Sequence, residues 1–110
     1  MAKLECTVTG DFDEVLRRIV DGIENASITS SLEDGSDFVT EKVRCAVRVF
    51  ERYSYMGQNR VSLNLTLLQV DNEPIRLSAI TSGGSQAMLF KINTIGEESF
   101  LKVLKDILGI

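Results

Sequence analysis

Alternating apolar and polar residues predict several β-strands in the middle of this chain. Val43, Cys45, Val47 and Val49 alternate with the intervening residues of segment 43–49. The same period of two returns at residues 60–67 and 75–80, and an earlier stretch at residues 3–9 ends at Gly10. This period is typical of strands with one buried face. Short connections between successive strands favour an antiparallel meander.

Two other segments repeat apolar residues at spacings of three and four, which is the period of an amphipathic helix. The first helix is predicted over residues 12–25, with Asp11 and Glu14 forming a capping box at its start. The second is predicted over residues 96–108, with Thr94 and Glu97 in the same arrangement. The remaining segments are predicted as a weak strand at residues 28–32, a turn at residues 33–36 and a possible last strand at residues 87–92.

These elements predict one α+β domain over residues 1–110, with a single antiparallel sheet and two helices packed on one face. Their order, β-α-β-β-β-β-(β)-α, is similar to helix-grip folds and to the TATA-binding-protein-like fold. The face under the helices is expected to hold Val43, Cys45, Val47, Val49, Val61, Leu63, Leu65, Leu67, Leu77 and Ala79. The opposite face is expected to display Arg44, Arg48, Arg52, Arg60, Ser62, Asn64, Thr66, Arg76 and Ser78, interrupted by Phe50, Leu68 and Ile80.

Charge is distributed unevenly along the chain, whose formal net charge is −4. Residues 1–41 carry −7, residues 42–60 carry +4 and residues 61–110 carry −1. This balance argues against general nucleic-acid affinity, although a local basic patch remains. No apolar run is long enough to span a membrane, and the first residues lack the apolar core of a signal peptide. A cytoplasmic protein without a membrane partner is therefore expected.

The composition argues against most catalytic and metal chemistry. The chain has no histidine, which is the commonest general base and a frequent metal ligand. Cys6 and Cys45 belong to no CxxC pair, and both are expected to face the core as small apolar residues. We therefore predict no metal site and no cofactor.

Four stretches together resemble a bacterial family of small proteins that is classed only as a domain of unknown function. They are residues 43–49, 51–55, 59–64 and 79–87. The resemblance covers nearly the whole chain and implies a bacterial cytosolic setting. It implies no activity, so no functional residue is carried over from it.

The arginines of the central strands are the first candidate site. Arg44, Arg48 and Arg52 share one side of a strand, and Arg60 and Arg76 are expected on neighbouring strands. Guanidinium groups bind phosphate or carboxylate through paired hydrogen bonds. The face could therefore bind a small anion or an acidic partner, including the acidic first third of another copy. The competing interpretation, which we favour, is a solvated face whose long side chains blunt sticky strands.

A second candidate site lies where the central strand ends. Glu51, Tyr53 and Tyr55 continue the side of Val43, and Asn59 follows the turn. They could form the mouth of a pocket between sheet and helices, or simply a strand end that turns into solvent. The segment from Ser82 to Gln86 holds two glycines and hydrogen-bonding side chains, and is more typical of a hairpin turn or bulge than of an anion-binding loop.

The leading interpretation is a non-enzymatic module that binds a protein partner or its own copy through the arginine-bearing face or through an exposed strand edge. The alternative is a small-ligand binder with a cleft beside Tyr53 and Tyr55. An enzyme using Glu51, Arg52 and Tyr53 ranks third, because nothing in their spacing demands catalysis.

Overall fold

The structure is a computed structural model that describes residues 1–54, 59–83 and 90–110, without the side chains of residues 54, 59 and 90–95. Its elements follow the chain as β1 (Ala2–Val8), α1 (Phe12–Asn25), β2 (Ser31–Val39), β3 (Val43–Ser54), β4 (Asn59–Val70), β5 (Ile75–Gly83) and α2 (Phe90–Leu108). The bounds of α1 are those predicted. Asp11 caps it by accepting a hydrogen bond from the backbone N–H of Glu14 at 3.1 Å.

The five strands form one antiparallel sheet in the order β1-β5-β4-β3-β2. Three successive strands pair as the expected meander, and β1 adds to its far side against β5. Helix α1 carries the chain from one edge strand to the other. The predicted α+β class, with a single antiparallel sheet and two helices, is confirmed.

Strand β2 differs from the prediction, because residues 33–36 form part of a strand and not a turn. The register against β3 shifts between Leu32 and Asp34, which makes a bulge at Glu33. Gly35 is needed for packing and not for a turn: a Cβ built on it would lie 2.9 Å from Cδ of Arg48. The glycine therefore lets the arginine cross the strand closely.

Helix α2 begins at Phe90, earlier than predicted. Residues 90–92 are helical, so the predicted last strand is wrong there, and residues 87–89 lie outside the described part of the chain. Thr94 falls inside the helix, so its position is not the N-cap that was predicted, while Glu97 is buried. Short apolar runs fit either period, which is why this stretch was assigned wrongly.

The core lies between the two helices and one face of the sheet. Phe100, Leu101 and Leu104 of α2 pack with the apolar stripe of α1 and with the leucines of β4 and β5. Thr81 fixes α2 to the sheet, because its buried hydroxyl donates to the carbonyl oxygen of Glu97 at 3.1 Å. We call this side of the sheet the covered face and the other side the open face.

Helix α2 packs closely against α1 at Gly22. A Cβ built there would lie 2.6 Å from Cδ1 and 2.9 Å from Cγ1 of Ile107. We expect Gly22→Val to lower the free energy of unfolding by about 1–2 kcal/mol in urea denaturation, because overpacking outweighs the gain in helix propensity. Ile107→Ala in the same chain should recover part of the loss. Arg17→Val, at an exposed position of α1, is the matched control, and an equal loss there would contradict the close contact.

Candidate interaction surface

The register between β3 and β4 exchanges the two faces of β3 relative to the prediction, so that the arginine-bearing side of β3 faces the helices. Phe50 pairs with Leu63 and Arg48 pairs with Leu65, and residues paired directly across an antiparallel ladder point to the same face. Phe50 and Ala46 are accordingly buried in the core, at 0 % and 1 % exposure. Five alternate residues of β3 therefore belong to the covered face: Arg44, Ala46, Arg48, Phe50 and Arg52.

The guanidinium groups of Arg44 and Arg52 are engaged by the helices. Arg44 lies 4.4 Å from the ring centroid of Phe12 and donates two hydrogen bonds to Asp13, at 2.8 and 3.1 Å. These bonds raise the pKa of Arg44 and lower the pKa of the Asp13 carboxyl. Arg52 lies 4.7 Å from the ring centroid of Phe100 and donates to the hydroxyl of Ser99 at 3.2 Å. Burial lowers its pKa.

Arg48 turns toward β2 instead of toward the helices. Its guanidinium donates to Asp37 at 3.1 Å and to the backbone oxygen of Val47 at 2.8 Å, and its side chain is only 16 % exposed. The three arginines thus line the seam between the helix layer and β2. Their stems cover apolar surface and their charges are paired or stacked, so the predicted arginine-bearing outer face does not exist on β3.

The open face instead presents an apolar patch. By register, the patch consists of Phe38, Val43, Cys45, Val47, Val49, Leu68 and Val70. Phe38 pairs with Cys45, which pairs in turn with Leu68, so the patch is continuous across three strands. Phe38 is 63 % exposed and the other members are half-buried. Among the described residues, every contact between helix and core is made on the covered face.

Polar residues border this patch toward the other end of β3. Glu51 and Arg60 form an ion pair at 2.8 Å, and this hydrogen bond raises the pKa of Arg60. Tyr53 pairs with Arg60 across the ladder and is 41 % exposed. Ser62 and Ser82 lie opposite each other with their hydroxyls 2.9 Å apart.

The predicted site residues therefore fall into separate groups. Glu51, Tyr53, Arg60, Arg76 and Ser82 lie on the open face, as the register of each with its neighbour shows. Arg44, Arg48 and Arg52 lie on the covered face. Tyr55, Gln86 and the side chain of Asn59 lie outside the described residues.

The predicted cleft cannot be built from Glu51 and Tyr53, because both lie on the side away from the helices. The two cysteines are also divided. Cys6 packs against the core, where burial raises its pKa, whereas Cys45 lies on the open face and not in the core as expected. A groove of about 770 Å³ does lie between β1 and α2, but Lys3, Lys102 and Asp106 line it with exposed, mixed charges. Nothing there selects one kind of ligand.

Sequence reasoning missed the members of the patch that flank β3. Phe38 lies between the predicted turn at residues 33–36 and the strand that begins at Val43, in a segment that was given no assignment, and Leu68 is expected only as an interruption of a polar face. A sequence signal existed nevertheless. Leu68 and Val70 extend the apolar character of β4 onto its second side near one end of the strand, which indicates burial on both faces.

The arrangement defines a class of protein: a single antiparallel sheet with two helices on one face and an uncovered apolar patch on the other. The chain belongs to the family of unknown function DUF6054, whose model matches residues 1–109. No curated protein matches it, and no solved structure does. Neither described helix combines the length and apolar character needed to cross a membrane.

Proposed function

We propose that this chain is a non-enzymatic interaction module whose open face binds a protein surface. The single observation that carries the proposal is the patch around Val47, which is apolar, continuous over three strands and not covered by either helix. Monomeric proteins seldom expose continuous apolar patches of more than a few hundred Å², and larger ones mark interaction sites.

Paired charges on the same face support binding over catalysis. Glu51 is held by Arg60 at 2.8 Å, and Lys3 lies 3.3 Å from Glu5. Each of these four charges already has a partner on this face, so none of them is left unpaired to act on a substrate. The sequence also lacks histidine. The resemblance described above implies a bacterial and cytoplasmic setting, and the proposal includes that setting as an expectation.

Photocrosslinking in living cells tests the proposal. A benzoylphenylalanine is placed at Asn64, an exposed position of the open face, and separately at Lys102, an exposed position of α2. We expect a protein adduct of discrete mass from position 64 and none from position 102. Adducts from neither position, or equal adducts from both, would contradict a binding role for the open face.

A further inference from the structure

We propose that the partner on the open face is a second copy of this chain, packed sheet against sheet about a two-fold axis. The inference rests on the proposed function and names its partner. Two-fold pairs use the same patch on both subunits, so that patch must complement itself. An apolar patch does so at once, because a valine column packs as well on its own copy as on any other aliphatic surface.

The open face has the size that a stable pair needs. Five strands at about 4.8 Å spacing, with roughly eight paired residues each, present about 24 Å by 27 Å, or roughly 650 Å². A standard interface removes about 800 Å² from each partner. The patch occupies the β2–β3–β4 part of this area toward one end of the strands, and the remainder on β1 and β5 is polar except for Ile80. Apolar residues bordered by polar ones are typical of such an interface.

Charge on the open face also suits a second copy. The face carries nearly balanced charge, namely Lys3, Arg60 and Arg76 with Glu5, Asp34 and Glu51. Glu33 adds one acid, because its carboxylate accepts from Ser31 and helps to raise the pKa of Arg60. Bringing two such faces together therefore opposes only about one net negative charge on each copy. Helix α1 with its cap carries five acids, Asp11, Asp13, Glu14, Asp21 and Glu24, against Arg17 and Arg18, so pairing through α1 would set acid against acid. A face with so little net charge offers little to steer a charged foreign partner.

The position of Cys45 makes this pairing measurable. Packed sheets lie about 10 Å apart, and an axis that buries the β3 column against itself must cross that column near its centre. Cys45 belongs to the column and the only other cysteine, Cys6, lies on the covered face. The two copies of Cys45 are therefore close in the pair, whereas the two copies of Cys6 are separated by both sheets.

Sedimentation equilibrium of the full chain over a wide concentration range is the first test. We expect a dimer whose dissociation constant changes little with salt, since apolar burial is not screened. Val47→Lys should weaken it roughly 100-fold or more, because each lysine would be desolvated against the other copy. Thr66→Lys, at the position paired with Val47, repeats the test at a site that is already polar. Val39→Lys is the matched control, because Val39 pairs with Arg44 on the other side of the sheet, and it should leave the constant unchanged.

Crosslinking with a bismaleimide is the second test. Cys6→Ser, which keeps only Cys45, should yield a covalent dimer, and Cys45→Ser should yield none. Adding Val47→Lys to the Cys6→Ser chain should abolish the product. A dimer that persists in both lysine variants, or that fails to crosslink through Cys45, overturns the pairing.

If sedimentation equilibrium shows a monomer at every concentration, the partner is not a second copy. The proposed function still stands in that case if position 64 gives an adduct in cells. That adduct would then contain a different protein. The absence of both dimer and adduct removes the proposed function together with this inference.

Discussion

Phe50→Ala should lower the free energy of unfolding by about 3–5 kcal/mol, the range found for truncating a buried phenylalanine. The ring has no solvent exposure and pairs with Leu63 in the centre of the covered face. Nearly all of its surface leaves water on folding, and the surrounding side chains can only partly close the space that it leaves. Urea denaturation monitored by circular dichroism measures the change.

The neighbouring position provides the control for Phe50. Val49 is next in the chain but points to the open face, where it is half-buried. Val49→Thr keeps the shape and the strand preference of the side chain, so it should cost less than about 1 kcal/mol in the monomer. If Val49→Thr proved as costly as Phe50→Ala, the assignment of the two faces of β3 would have to be reversed.

Phe100→Ala should be about as damaging, again about 3–5 kcal/mol, because this fully buried ring joins α2 to the core. Its removal also takes away the surface on which the guanidinium of Arg52 lies, 4.7 Å from the ring centroid. Thermal or urea denaturation of Phe100→Ala, Arg52→Ala and the double variant completes a cycle. We expect a coupling energy of about 0.5–1 kcal/mol between the two side chains.

Phe100→Leu separates the two contributions of this ring. Leucine retains most of the apolar volume but has no π face, so the large loss should shrink while the coupling to Arg52 disappears. A coupling near zero already in the alanine cycle would mean that Arg52 extends into solvent and that the arginine side of β3 is free.

The hairpin between β3 and β4 explains why the fold was predictable but the site was not. The alternation within each strand was predicted correctly: alternate residues from Val43 to Tyr53 share one side of β3, and alternate residues from Val61 to Leu67 share one side of β4. Which sides meet depends on the number of residues in the loop. Ser54 pairs with Asn59, so four residues separate the last paired positions, and odd-numbered residues of β3 pair with even-numbered residues of β4.

That count could have been made from the sequence. Tyr55 continues the first predicted strand and residue 60 begins the next, so four residues lie between them, and this even number is incompatible with placing Val47 and Leu65 on one face. Phe50 was a second signal, because a large aromatic side chain on the arginine-bearing side gains much free energy if that side is buried. On β5 the same reasoning works, since Leu67 pairs with Leu77 as the predicted covered face requires.

Edge strand β2 and the start of α2 could not be obtained from local pattern. Gly35 is typical of a turn until Arg48, thirteen residues later, is known to lie across it. The contacts of Arg44, Arg48 and Arg52 could not be predicted for the same reason, because they depend on residues that are distant in the chain. Asp13 and Phe12 lie more than thirty residues from Arg44 in the chain, and only the packing of α1 brings them together.

The bulge at Glu33 has a consequence for how far assembly can grow. An edge strand offers unpaired backbone groups to any other strand, and two such edges joined repeatedly make a filament. On β2 the bulge breaks the straight run of the edge, and Glu33, Asp34 and Asp37 repel the same edge of another molecule. In the proposed pair, contact through the flat side of the sheet would therefore end at two copies, because strand addition at the β2 edge is blocked.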